Sequence, residues 1–216
     1  MTMIKNYWVF TSKTYKLVML LVFPLVMLGL NVWGFFSDNV FLIVFPVTMC
    51  FLIFPVIDVM SDYWLLPGFY AKGNNSLEFL QSTTKFKSMI RGVVFIDIVR
   101  RVLFYLVTFF ILYTFFVNKD AQAQVFIEKY IYVPLVSIVV SQTAVFVSRF
   151  FRVLNQVFAC AMLTMVANAV NISSASHSLI PLSMWIGLIL VALVVAVIAL
   201  TIWFTQKKVR DSYYDK

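Results

Sequence analysis

Six apolar runs, at about 17–36, 40–60, 94–117, 130–148, 153–172 and 179–204, leave this chain few folds to choose from. Each is close to the ~20 residues a helix needs to cross ~30 Å of hydrocarbon. In lipid, only helices and closed barrels satisfy their own backbone hydrogen bonds, and these runs lack the alternation of barrel strands. Of the 216 residues 62% are hydrophobic and the mean hydropathy is +0.95. Charged residues make up 12%, where a soluble domain carries about 25%. The expectation is an all-α membrane protein, a single transmembrane domain over residues 1–216 with six transmembrane helices. The first run is long enough to span and no A-x-A site follows it, so no cleavable signal is expected.

Lys and Arg orient the spans. With both termini inside, the inner segments hold 15 of the 17 basic residues, and the outer links hold only Lys119 and Lys129. Basic residues concentrate on the cytoplasmic side, so the split favours an even number of spans with cytoplasmic termini. The net charge of +8 follows from the same bias and does not point to nucleic acid. The outer links 37–39, 118–129 and 173–178 are too short for a ligand-binding ectodomain, and His177 reads as solvated. Cys50 and Cys160 lie inside separate apolar runs and read as small core residues.

Before the first span, Ile4, Tyr7, Trp8 and Tyr15 fall close to one helical face, with Lys5, Lys13 and Lys16 elsewhere. That suits an N-terminal interfacial helix; a frayed basic terminus is the alternative.

The long polar stretch is Ala71 to Arg101, which holds Lys72, Lys85, Lys87, Arg91, Arg100 and Arg101. Asn75 can cap the helix Ser76, Leu77, Glu78, Phe79, Leu80, Gln81, and Glu78 can reach back to complete a capping box. So short a helix needs something to pack on: a partner, or its own bundle. Ser82-Thr83-Thr84 then caps a second helix that starts near Lys85 and runs into span three. On it, Asp97 stands three and four residues before Arg100 and Arg101, one face of a helix. Arg91 to Arg101 covers ~15 Å of helix. Either the first part lies along the interface or the Asp97–Arg pairs are buried at the inner end of the bundle, with simple snorkelling as the third reading.

Span four carries a small-residue stripe, Ser137, Ser141, Ala144 and Ser148, suited to close helix approach. Span five carries Thr164, Asn168 and Asn171 at helical spacing, either interhelical hydrogen bonds or the lining of a path. Pro24, Pro46, Pro55, Pro134 and Pro181 fall inside the runs, where neighbouring helices tolerate kinks. No G-x-x-x-x-G-K-[ST], H-E-x-x-H or G-x-S-x-G occurs, so the chain has no phosphate loop or hydrolase motif. Asp58 and Asp62 fall near the inner end of span two, and no acid falls mid-span, which disfavours a proton-coupled transporter.

In layout the chain resembles the membrane subunits of ABC-2-type exporters. The matching features are six spans, cytoplasmic termini, an amphipathic N-terminal helix and a basic tail, QKKVRDSYYDK. The matching text of the 2–3 loop is GNNSLEFLQSTTKFKSMIRG, residues 73–92, without the Leu-Pro common in the family. The resemblance implies that Asn75 to Gln81 form a short cytoplasmic coupling helix for a separate ABC ATPase, with Arg91, Asp97, Arg100 and Arg101 coupling it to span three. It implies ATP and magnesium in that partner, none in this chain, and a second membrane subunit, as a homo- or heterodimer. It also places Phe41, Phe45, Thr48 and Leu52 of span two, and Thr164, Asn168 and Asn171 of span five, on a translocation path. The cargo expected is amphipathic or hydrophobic, such as a peptide, and the location a bacterial plasma membrane. The competing readings are a secondary transporter and a non-transporting scaffold or immunity protein.

The orientation is testable by labelling in a cysteine-free background. Asp120→Cys and Ser176→Cys should react with an impermeant thiol reagent from outside, and Lys85→Cys should not. External labelling at position 85 would overturn it.

Overall fold

The computed structural model describes residues 3–36, 49–60, 86–120, 130–150, 154–176 and 184–214. These are helical almost throughout, and no strand occurs among them. Helix α1 is Met3–Phe10. Helix α2 comprises Lys13–Tyr15, a π-helical stretch Lys16–Val22, and Phe23–Phe36. Helix α3 is Met49–Met60, α4 Phe86–Asp120, α5 Tyr132–Phe150, α6 Leu154–Ser176 and α7 Met184–Tyr214.

The break between α1 and α2 is written in two hydroxyls. Thr11 Oγ1 donates to the Trp8 carbonyl at 3.2 Å, closing α1. Ser12 has extended backbone, and its Oγ accepts the Tyr15 amide at 3.1 Å, an N-cap that restarts the helix. The wide turn that follows ends at Pro24. The Phe23 amide donates to the Val18 carbonyl five residues back, and Pro24 has no amide to offer the Leu20 carbonyl. A proline inside the helix is thereby absorbed by a local change of register. Pro134 needs no such device. It stands in the first turn of α5, where its missing N–H would have had no partner within the helix.

α4 has 35 residues and so runs ~52 Å, well beyond ~30 Å of hydrocarbon. The helix expected from Lys85 and the third apolar run are therefore one continuous rod. α1 lies against α4, α5 packs against α4, α6 and α7, and α7 also meets α4. An aromatic core joins α2, α3 and α4: Phe54 stacks on Phe104, Phe51 on Tyr105, and Phe23 packs tilted against Phe54 and Phe104. A second cluster sets Ile90, Val94 and Ile98 of α4 against Ile198 and Ile202 of α7. A third sets Val59 of α3 with Val145 of α5 and Val157 and Ala161 of α6.

Polar groups collect inside and apolar ones outside. Asp58, Asp97, Arg101, Gln142, Asn168 and Asn171 are buried. Trp185, Leu188, Ile189, Leu193 and Val195 of α7, Leu163 and Val170 of α6, and Leu103 and Phe110 of α4 are exposed. Large exposed apolar patches on a protein mark surfaces that are not meant for water. Two of the described helices carry apolar stretches long enough to cross a membrane, Val157–Ser174 and Trp185–Phe204.

Candidate functional site

One face of α4 buries Ile90, Val94, Asp97, Ile98, Arg101, Tyr105 and Thr108. The spacing that packs the aliphatic residues therefore also turns the charges inward. They meet Asp58, which α3 presents near its last turn. The four groups close a ring. Asp58 Oδ1 accepts from Arg100 and Asp58 Oδ2 from Arg101 Nε, both in close contact. Asp97 Oδ1 accepts from Arg100 at 3.2 Å and Asp97 Oδ2 from Arg101 at 2.7 Å. Carboxylate and guanidinium alternate around it, and two negative and two positive charges sum to zero. Asp58 and Asp97 are fully buried, Arg101 is 1% exposed, and the Arg100 side chain, at 14%, is the one opening.

Neighbouring elements extend the ring. Arg101 Nη1 donates to Gln142 Oε1 of α5 at 3.2 Å. One turn further along α4, the Tyr105 hydroxyl pairs with Ser141 of α5. The Arg100 guanidinium lies 5.5 Å from the Tyr15 ring and 5.8 Å from the Phe54 ring, a cation between two aromatic faces. Tyr7 of α1 donates to the Tyr15 hydroxyl at 3.0 Å. Burial pushes the Tyr7 phenol up to about 12, with Asp97 adding to the shift and Arg100 opposing it. Burial raises Tyr15 as well, against the pull of Arg100. Both stay neutral at neutral pH and cover the ring without unbalancing it. Two donors, Arg100 Nε and Gln142 Nε2, have no hydrogen-bond partner among the described residues.

Of the residues expected in coupling, Asp97, Arg100 and Arg101 come together here. Arg91 is exposed, and the six residues from it to Asp97 span ~9 Å, so it stands outside the ring. Asn75 to Gln81, Phe41, Phe45 and Thr48 lie outside the described residues, and Leu52 is half-buried on α3. The stripe on α6 faces α5. Thr164 Oγ1 and Asn168 Nδ2 donate to carbonyls of their own helix, those of Cys160 at 2.7 Å and Thr164 at 2.9 Å. Asn171 Nδ2 crosses to α5, reaching the Val133 carbonyl at 3.1 Å and Ser137 Oγ at 3.5 Å. The serine stripe of α5 is thus shared: Ser137 meets α6 and Ser141 meets α4. No group of three or more His, Cys, Asp or Glu placed to hold a metal occurs among the described residues.

Asp58 was not legible as a member of the ring, nor Gln142, Tyr7 and Tyr15 as its surround. One signal was available. Asp97 alone cannot neutralise two arginines drawn into the interior, so a second carboxylate had to come from another helix, and Asp58 was near at hand. Comparison of the chain with protein-family profiles, curated proteins and solved structures returned no match.

Thermal unfolding in detergent separates the two asparagines of α6. Asn171→Leu removes the bond to the Val133 carbonyl and should cost about 1 kcal/mol, in the range of hydrogen bonds between membrane helices. Asn168→Leu removes a bond within its own helix and an acceptor with no partner among the described residues, so it should cost less. The opposite order would contradict this assignment.

Proposed function

We propose that this chain is the permease subunit of an ATP-driven exporter, with six membrane spans, cytoplasmic termini and a separate ATPase. It works as a homo- or heterodimer in a plasma membrane and moves an amphipathic or hydrophobic cargo such as a peptide. ATP and magnesium belong to the partner. The observation that carries the reading is the position of the charged ring. Asp58 is two residues from the end of α3, and Asp97 to Arg101 lie in the first half of α4. Residues 61–85 join these two helices in the sequence. A push delivered there reaches the bundle through a pair of helices held together by four charges. The apolar exterior of α4, α6 and α7 supports the placement in lipid.

The two buried carboxylates also favour a second reading, a proton-coupled secondary transporter, because intramembrane acids form proton relays. That reading requires no ATPase. Both acids are matched one-to-one by arginines, an arrangement that suits a clamp better than a site that loads and releases protons.

Co-purification decides between them. Phe79→Ala with Leu80→Ala should release the ATPase while the melting temperature of the membrane subunit stays at the wild-type value, since apolar anchors at a small interface carry ~2 kcal/mol or more each. Asp97→Lys, which leaves three cations against one acid in the ring, should lower the melting temperature, and the subunit that remains folded should keep the ATPase bound but uncouple hydrolysis from transport. A double variant that retains its partner at wild-type stoichiometry would overturn the coupling helix, and a chain that never captures an ATPase would favour the second reading.

A further inference from the structure

The first 37 residues contain Lys5, Lys13 and Lys16 and no acid. α1 and the elbow that follows it divide into two faces. Asn6, Tyr7, Thr11, Tyr15 and Met19 are buried, toward α4 and the charged ring. The other face exposes Ile4, Trp8, Leu17 and Leu21 together with Lys5 and Lys13. Such a face fits neither bulk water nor hydrocarbon. Its apolar members continue into the exposed Leu25 and Val26 of α2, so it is the rim of the apolar exterior. On that rim Lys16 Nζ sits 4.8 Å from the Trp8 ring centroid.

A second pair of the same kind comes from the far end of the sequence. Lys207 Nζ lies 5.8 Å from the ring of the exposed Trp203. Both pairs belong to the end of the bundle where α4 begins. Tyr7 lies close enough to feel the charges of Asp97 and Arg100, and Ile198 and Ile202 pack on Ile90, Val94 and Ile98. Trp203 and Lys207 follow directly on α7. Tryptophan seats at the boundary between acyl chains and headgroups, and lysine stems reach from there to the phosphates.

We propose that this rim is a binding surface for anionic phospholipid. Lys13, Lys16 and Lys207 hold headgroup phosphates, while Trp8 and Trp203 rest on the glycerol and upper acyl region. The inference rests on the membrane orientation proposed above and not on the ATPase. Charge complementarity and continuity with the apolar exterior select a lipid over a soluble acidic protein, which would leave Ile4, Leu17 and Leu21 in water.

The full chain in nanodiscs of phosphatidylcholine, alone or mixed with phosphatidylglycerol, tests this by melting temperature and by the lipids retained in native mass spectrometry. Phosphatidylglycerol should raise the melting temperature and be retained preferentially; inorganic phosphate added to phosphatidylcholine discs should do neither. Lys13→Gln and Lys16→Gln should each weaken phosphatidylglycerol binding about fivefold, as expected for one lysine near an anionic surface. Lys119→Gln, near the far end of α4, should leave it unchanged, and high salt should erase the difference. Equal melting temperatures in both lipids would overturn the proposal, as would a loss in Lys119→Gln matching that in Lys16→Gln. Stabilisation by inorganic phosphate alone would assign the lysines to a free anion instead. The assay contains no ATPase, so its failure leaves the permease reading to co-purification, whereas a chain that does not insert into nanodiscs sinks both.

Discussion

A carboxylate or guanidinium withdrawn from water loses several kcal/mol of solvation, and attraction to a partner repays this only when the geometry is good and the remaining hydrogen bonds are made. The ring of Asp58, Arg100, Asp97 and Arg101 meets that condition by alternation. Each acid accepts from both arginines, and the whole is neutral. Its members are therefore interdependent. Removing any one leaves a net charge in the interior, so α3 and α4 are held in a single relative position. Gln142 ties α5 to the same point, and Tyr7 and Tyr15 bring α1 and α2 over it. Five of the seven described helices meet at one electrostatic centre.

The rest of the molecule is arranged around keeping that centre dry on the inside and the helices apolar on the outside. The Ser12 cap and the π-helical turn before Pro24 fold α1 back against α4, which places the Tyr7 hydroxyl on that of Tyr15. Phenols are neutral at neutral pH and burial raises both further, so the cover adds no charge. Farther along, polar side chains serve contact between helices: Tyr105 with Ser141, Asn171 with the Val133 carbonyl. Trp185 to Phe204 of α7 presents most of its apolar surface outward.

Much of this was legible in the residues. Continuous hydrophobicity gave helices, and the i, i+3 and i, i+4 spacing of Asp97 with Arg100 and Arg101 gave half of the ring. Local spacing could not give Asp58, 39 positions earlier, because burial partners between helices depend on how the rods are rotated. Pattern alone placed Tyr7 and Tyr15 on the face with Ile4 and Trp8, at headgroup level. The structure turns the two tyrosines inward and leaves Ile4 and Trp8 outside, because Tyr7 and Tyr15 pair with each other over Arg100. The stripe of Thr164, Asn168 and Asn171 was visible as polar. Its direction toward α5 was not, since periodicity shows a face but not what the face meets.

The claim that a balanced ring joins α3 to α4 is tested most directly by a double-mutant cycle on Asp58→Asn and Arg101→Gln, read as unfolding free energy in detergent. Each single change strands a buried charge and should cost about 3–5 kcal/mol. Together they leave Asp97 and Arg100 as a neutral pair, so the double variant should be more stable than either single one. Additive losses, or singles that unfold like the wild type, would mean that Asp58 and Arg101 do not act through each other and that the ring does not hold the bundle.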